Sequence, residues 1–235
     1  MRGAAASDKR TEDRAERQAR IEKAAEHVFA HRGVTAATMD DIARHSGVSK
    51  GALYLHFESK EQLYLTLAVR ALTELVNKLE ANPTSGTGFQ RTRAMIQTYA
   101  NYSLSDPARF CLAGAWVAPD WQLPKSEALA TCYSELVRKA LRLAVEMFEL
   151  GKHDGSIRPH LDTQLTILQF LGGMHGVLAL RAKILESPNE APPQLDPQLW
   201  AGLVQPQDTT ELTAIDRERI VTSYVELLLS AIEQK

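Results

Sequence analysis

The sequence predicts an all-α protein, with a small three-helix unit at the N-terminus and a larger helical part after it. Three observations carry this. Apolar residues recur at helical spacing through most of the chain. Capping residues and Gly or Pro stops punctuate those segments. No stretch alternates convincingly as a strand, and there is no internal repeat. The chain has 235 residues, 44% of them hydrophobic, which is ample for a real core.

Residues 1–13 are polar, charged and without period, and are expected to form a flexible arm. From Arg14 a helix begins, with Ile21, Ala25, Val28 and Phe29 on one face, and Gly33 ends it. Thr38 with Asp41 three residues on starts a short helix that Gly47 stops. Ser49 caps the next helix, and Val48 and Leu53 have the spacing of a hydrophobic staple. Ser59 with Gln62 opens a long helix through Leu79, terminated by Asn82-Pro83-Thr84-Ser85-Gly86. Further helices are expected over about Phe89–Leu104, from Asp106-Pro107, and over about Ser126–Leu150 with Gly151 as stop. Asp162 caps a helix to about Leu185. Residues 187–211 hold five prolines and read as a long loop, and Thr213 caps the last helix.

Composition bounds the function classes. The longest apolar stretch, Ile167 to Leu180, is interrupted by Gln169 and His175 and is too short to span a bilayer. Met1 to Ser7 has no apolar core of signal-peptide length, so a cytoplasmic protein without membrane association is expected. The two cysteines, Cys111 and Cys132, have no metal-binding spacing; Cys111 reads as a small buried residue. Residues 1–60 hold eleven Lys/Arg against nine Asp/Glu, and the remainder sixteen against twenty. That mild asymmetry is weak support for an N-terminal polyanion site.

The informative stretch is Thr38 to Leu63, TMDDIARHSGVSKGALYLHFESKEQL. Two short helices joined by a tight Gly turn send the second out at a steep angle, so that it can enter a major groove while the first crosses the backbone. Leu53 and Phe57 form its buried side; Lys50, Gly51, Ala52, Tyr54 and His56 are the exposed candidates. Here the sequence resembles the TetR family of bacterial regulators. The resemblance rests on Phe29, Gly33, Thr38, Ile42-Ala43, Gly47-Val48-Ser49, Gly51, Tyr54, His56-Phe57, Lys60-Glu61 and Leu63, and covers about residues 15–65.

The resemblance implies an N-terminal helix-turn-helix domain over residues 14–62 and a ligand-binding and dimerisation domain over 63–235. It implies phosphate contacts from Tyr54, His56 and Lys60. The helix that Thr38 caps would point its N-terminus at a phosphate. Ser49 and Lys50 start the recognition helix, and Lys50 can reach guanine O6/N7 or a phosphate. Gly51 and Ala52 allow close approach, with the Ala52 methyl suited to a thymine methyl. Lys50, Gly51, Ala52 and Tyr54 are the specificity candidates, since phosphate contacts position and base contacts specify. Arg2, Lys9 and Arg10 could serve a minor-groove arm, but Asp8, Glu12 and Asp13 dilute them, and the reading set against that role is preferred.

In this family a pocket in the larger domain binds a small molecule. The candidates here are Tyr99, Tyr102, Phe110, Trp116, Trp121, Tyr133, Phe148, Phe170, Met174 and His175, whose character leans toward an apolar or aromatic effector, although aromatics at helical spacing more often form core. The helix from Asp162 is apolar on nearly every side, and Gly172, Gly173 and Gly176 would let another helix approach. With the last helix it is expected to form an isologous four-helix interface. The sequence-level reading is a ligand-responsive repressor, a homodimer on double-stranded palindromic operator DNA, with no cofactor, metal or catalytic residue. The alternatives are an activator or architectural DNA-binder of the same fold, or a metal-dependent enzyme using His153, Asp154 and His160. The enzyme lacks any G-x-S-x-G, H-E-x-x-H or phosphate-binding Gly loop to support it.

Overall fold

The computed structural model describes residues 2–114, 127–186 and 216–234. Among these residues the architecture is all helical. In chain order the helices are α1 (Arg2–Ala36), α2 (Met39–Ser46), α3 (Lys50–Tyr54), α4 (Lys60–Glu80), α5 (Gly88–Ser105), α6 (Pro107–Ala113), α7 (Glu127–His153), α8 (Thr163–Glu186) and α9 (Arg217–Ile232). The one extended pairing described is an isolated bridge between Ile157 and Glu233. No described helix is long and apolar enough to cross a membrane.

The chain forms two compact units. The first contains α1–α3, α4 up to Asn77, and Asp106–Ala140. Its core includes Ile21, Ala25, Val28, Phe29, Ile42, Leu53, Phe57, Leu63 and Leu67. Phe29 meets Tyr64 edge-on at 5.2 Å. Arg109 of α6 reaches Glu26 of α1 at 3.5 Å and Glu74 of α4 at 3.1 Å, so one guanidinium ties three helices. The buried carboxylate of Glu22 is held by Arg70 and Gln18. A carboxylate this deep needs such partners, because an isolated buried charge is costly.

The second unit contains Lys78–Ser105 and the chain from Leu141 onward. Here α9 packs on α5 and α8. Tyr224 of α9 donates to the carbonyls of Gln169 (2.8 Å) and Phe170 (3.3 Å). Its ring end fills the space beside Gly173, where a Cβ would lie 2.0 Å from the hydroxyl oxygen. Gly173 therefore serves packing within the subunit, whereas a Cβ at Gly172 or Gly176 would meet nothing within 4 Å.

Local signals predict most boundaries. Thr38, Ser49, Asp106, Asp162 and Asp216 accept from backbone N–H groups at the starts of their helices. Gly47 closes α2 in the left-handed region, φ 69. Gly33 breaks helical geometry inside α1 at φ 71. Four readings need correction. First, α1 begins at Arg2, before Arg14; an Ala-, Arg- and Glu-rich segment needs no apolar stripe to be helical. Second, Gly151 does not stop α7, which runs on to His153. It lies buried where α7 crosses the start of α5, and a Cβ on Gly88 would come within 2.0 Å of its backbone nitrogen. Third, Asp216 caps the last described helix, while Thr213 lies outside the described residues. Fourth, Cys111 is exposed, because α6 buries its neighbours Phe110 and Leu112 and turns the thiol outward.

Candidate nucleic-acid interface

The two short helices, α2 and α3, are set by their caps. Thr38 Oγ1 accepts from Asp41 N at 3.1 Å and donates to its carboxylate at 2.7 Å. Asp41 also binds Arg32 (3.0 Å) and Arg44 (3.4 Å), fixing the end of α1 against α2. Its carboxyl sits below the usual range, first through the Thr38 hydroxyl and then through these two cations. Ser49 Oγ accepts from Ala52 N at 3.2 Å, so α3 starts without fraying. Leu53 and Phe57 anchor it from below.

The opposite side of α3 is open. Tyr54 is 44% exposed, and Lys50 and Gly51 are exposed beside it, with Ala52 half-buried. A Cβ on Gly51 would meet nothing within 4 Å, so this backbone is free to approach a partner closely. Lys50 Nζ sits 2.7 Å from the Asp40 carboxylate, which raises the pKa of the ammonium. Leu55, 79% exposed, is a large apolar side chain next to Tyr54 that the motif reading passed over.

His56 is half-buried, and its pKa lies below the ordinary histidine value. Desolvation is the main cause; Arg14 and Arg17 of α1 add to it, and Glu22 opposes them. Lys60 donates to the carbonyls of Thr35 (3.2 Å) and Ala37 (3.0 Å), binding the start of α4 to the α1–α2 connection. An ammonium has three donors, so one remains for another acceptor.

With this geometry in place, the comparisons decide the family. Residues 21–67 match the model described as "Bacterial regulatory proteins, tetR family". The transcriptional activator FasR of Mycolicibacterium smegmatis is 41% identical over 90 residues, 38% of this chain and 41% of that protein. The transcriptional repressor KstR2 of Rhodococcus jostii is 31% identical over 138 residues, 59% of this chain and 66% of that protein. Residues 21–67 are thus a TetR-family segment.

The matched parts span less than two thirds of the length of these curated relatives. Solved structures extend the likeness in fold to nearly the whole chain. The ketosteroid transcriptional regulator KstR2 of Mycobacterium tuberculosis superposes with TM-score 0.65 at 18% identity, covering 93% of this chain and 96% of that one. FadR from Bacillus subtilis with stearoyl-CoA gives 0.56 at 19%, covering 91% and 98%. AibR with isovaleryl coenzyme A and operator DNA gives 0.59 at 20%, covering 80% and 96%.

The predicted pocket residues fall into three groups. Tyr99, Tyr102, Phe148, Phe170, Met174 and His175 lie in the second unit, and all but half-buried His175 are buried. Tyr99 packs edge-on to Phe170 at 5.4 Å, and its hydroxyl is hydrogen-bonded to His175 Nε2 at 2.9 Å. Burial holds the pKa of His175 down at about 4, so the ring is neutral and its tautomer sets which partner donates. Phe110 and Tyr133 belong to the first unit, where Tyr133 donates to the Ala113 carbonyl at 2.7 Å. Trp116 and Trp121 lie outside the described residues. Of the residues in the rival metal reading, Asp154 has other work. Asp154 caps α5 by accepting from Gly88 N at 2.6 Å, and it also binds Ser156. Among the described residues no group of three or more His, Cys, Asp and Glu is arranged to hold a metal ion.

Proposed function

We propose that this chain is a ligand-responsive transcriptional repressor that binds palindromic operator DNA as a homodimer and has no catalytic activity. The observation that carries this reading is the pair α2–α3: two capped helices around a left-handed Gly47, with Lys50, Gly51, Ala52 and Tyr54 presented on an open face. A head of this kind, over residues 14–62, places α3 in the major groove. Lys50, Gly51, Ala52 and Tyr54 read the site. Thr38, Ser49, His56 and Lys60 hold the phosphates, Lys60 with the donor its two carbonyls leave over. Such a role belongs in the cytoplasm.

Residues 63–235 supply the dimer and the effector site. On α8 the exposed residues Leu165, Leu168, Gly172, Gly176 and Ala179 follow one helical stripe, and α9 adds exposed Leu227 and Ala231. Small residues with open space between exposed leucines suit a second copy of the same surface. For the effector, the hydrogen-bonded Tyr99–His175 pair among Phe170, Met174 and Tyr102 suits an apolar molecule carrying one hydrogen-bonding group. The acyl end of a thioester has that chemistry, and the ligands of FadR and AibR are acyl-CoA thioesters. Effector binding releases DNA by favouring one of two states.

The likeness to the activator FasR favours one second reading, in which the same complex activates transcription. Deleting the gene separates them: target transcription rises for a repressor and falls for an activator. The main reading is tested by footprinting DNA flanking the protein's own gene, with and without short- and long-chain acyl-CoA. A protected palindrome released by one of these ligands is expected. Protection that no acyl-CoA relieves would overturn the effector assignment. No protection there, and no enrichment from random DNA, would overturn the regulator.

A further inference from the structure

We propose that Arg14 and Arg17 of α1 form a second line of contact to the DNA phosphates, beside the recognition helix and outside the segment shared with the family model. The matched segment starts at residue 21, so neither arginine belongs to it. The inference rests on the DNA-binding reading above.

The geometry of α1 carries it. Ile21, Ala24, Ala25 and Val28 define the face of α1 that is buried in the head. Steps of three and four residues back along the same face reach Arg17 and Arg14. Both are exposed, so the stripe changes from apolar to basic where the core ends. A helix face that continues as solvent-exposed guanidiniums next to the core is not needed for packing; each guanidinium is a planar donor set matched to phosphate.

The neighbours of this stripe point the same way. Both guanidiniums act on the ring of His56, at the end of the α3 segment. They therefore lie on the side of the head that carries the proposed phosphate contacts. The one buried carboxylate near them, Glu22, is taken up by Arg70 and Gln18. Glu22 is thus engaged within the head, and exposed Glu16 offsets only part of the positive potential that the pair offers a polyanion. α1 is also helical from Arg2, so the two side chains project from a formed helix and lose no backbone freedom on binding.

The test uses the full chain and a labelled mixed-sequence duplex, with affinity measured against salt. The expected result for Arg14→Ala/Arg17→Ala is a log–log salt slope shallower by about 0.9 for each phosphate lost. Affinity near physiological salt should fall about ten-fold or more. Arg14→Lys/Arg17→Lys should keep most of the slope. Lys23→Ala removes one exposed charge from the opposite face of α1 and should leave the slope unchanged. Wild-type slope in the double alanine variant would overturn the proposal, as would an equal loss in the lysine pair or in Lys23→Ala. If the wild-type chain binds no duplex at low salt, the DNA-binding reading itself fails, which is a different result. Circular dichroism of each variant checks that the head stays folded.

Discussion

Leu168→Asp should convert the proposed dimer to monomers. Leu168 is 57% exposed in the single chain, and Leu165 one turn before it and Leu227 of α9 are 54% and 67% exposed. Fully burying a leucine contributes about 1.5–3 kcal/mol, so covering the exposed part of Leu168 is worth about 1 kcal/mol per copy. An isologous interface counts each substitution twice, which gives about 2 kcal/mol. Aspartate also places two carboxylates in an apolar contact, adding about 1–2 kcal/mol each. The sum is about 4–6 kcal/mol, a rise of roughly 10³- to 10⁴-fold in the dimer dissociation constant. Leu168→Ala, which loses only the apolar contact, should raise it about 30-fold. Sedimentation velocity over a concentration series reads both, and operator affinity should fall in parallel while helicity is kept. A Leu168→Asp chain that sediments as a dimer with the wild-type constant would refute the placement of α8 in the interface.

Three further outcomes are expected. Asp40→Asn releases Lys50 from its ion pair and should raise affinity for mixed-sequence DNA, with a salt slope steeper by up to about 0.9; an unchanged slope would mean Lys50 does not reach DNA. Gly88→Ala drives a Cβ into the backbone of Gly151 and should destabilise the second unit by about 3 kcal/mol, read as a lower denaturation midpoint. The third concerns pH: the ring of His27 contacts His31 at 4.2 Å and stacks on His45 at 4.4 Å. Desolvation, then His31 and His45, hold its pKa below the ordinary 6.5, so the unfolded chain takes up protons first. Stability from this contact is present above about pH 6.5 and is lost as pH falls below it. His27→Gln should flatten the fall in melting temperature on acidification, and equal slopes would remove the assignment.

What was legible in the sequence was local. Thr38, Ser49, Asp106 and Asp162 announce their helices because a cap is written within four residues. Gly47 is readable for the same reason. The failures involve partners distant in the chain. Gly151 looks like a helix stop, yet it is a crossing point that needs Gly88, and nothing near residue 151 announces residue 88. Lys60 reads as a phosphate contact, and nothing near it in the chain announces the carbonyls 23 and 25 residues away that take two of its donors. The aromatic candidates were grouped by type; contacts then set Phe110 and Tyr133 apart from Tyr99, Phe170 and His175. Arg14 and Arg17 were invisible as a pair with His56, because composition weighs charges along the chain and not across a helix face.

The Asp40–Lys50 pair bears on how such a head would search a genome. In the free protein, the ammonium at the tip of the recognition helix already has an anionic partner at 2.7 Å. Every phosphate on random DNA then meets a rival of the same sign, held at fixed range and always present. A passing encounter gains little by taking the lysine from its carboxylate, so residence on the wrong sequence is shortened. A site whose base edges add acceptors in the right places can shift the exchange toward DNA. In the proposed DNA complex the carboxylate would thus work as an internal decoy, trading some total affinity for faster rejection of unmatched sequence.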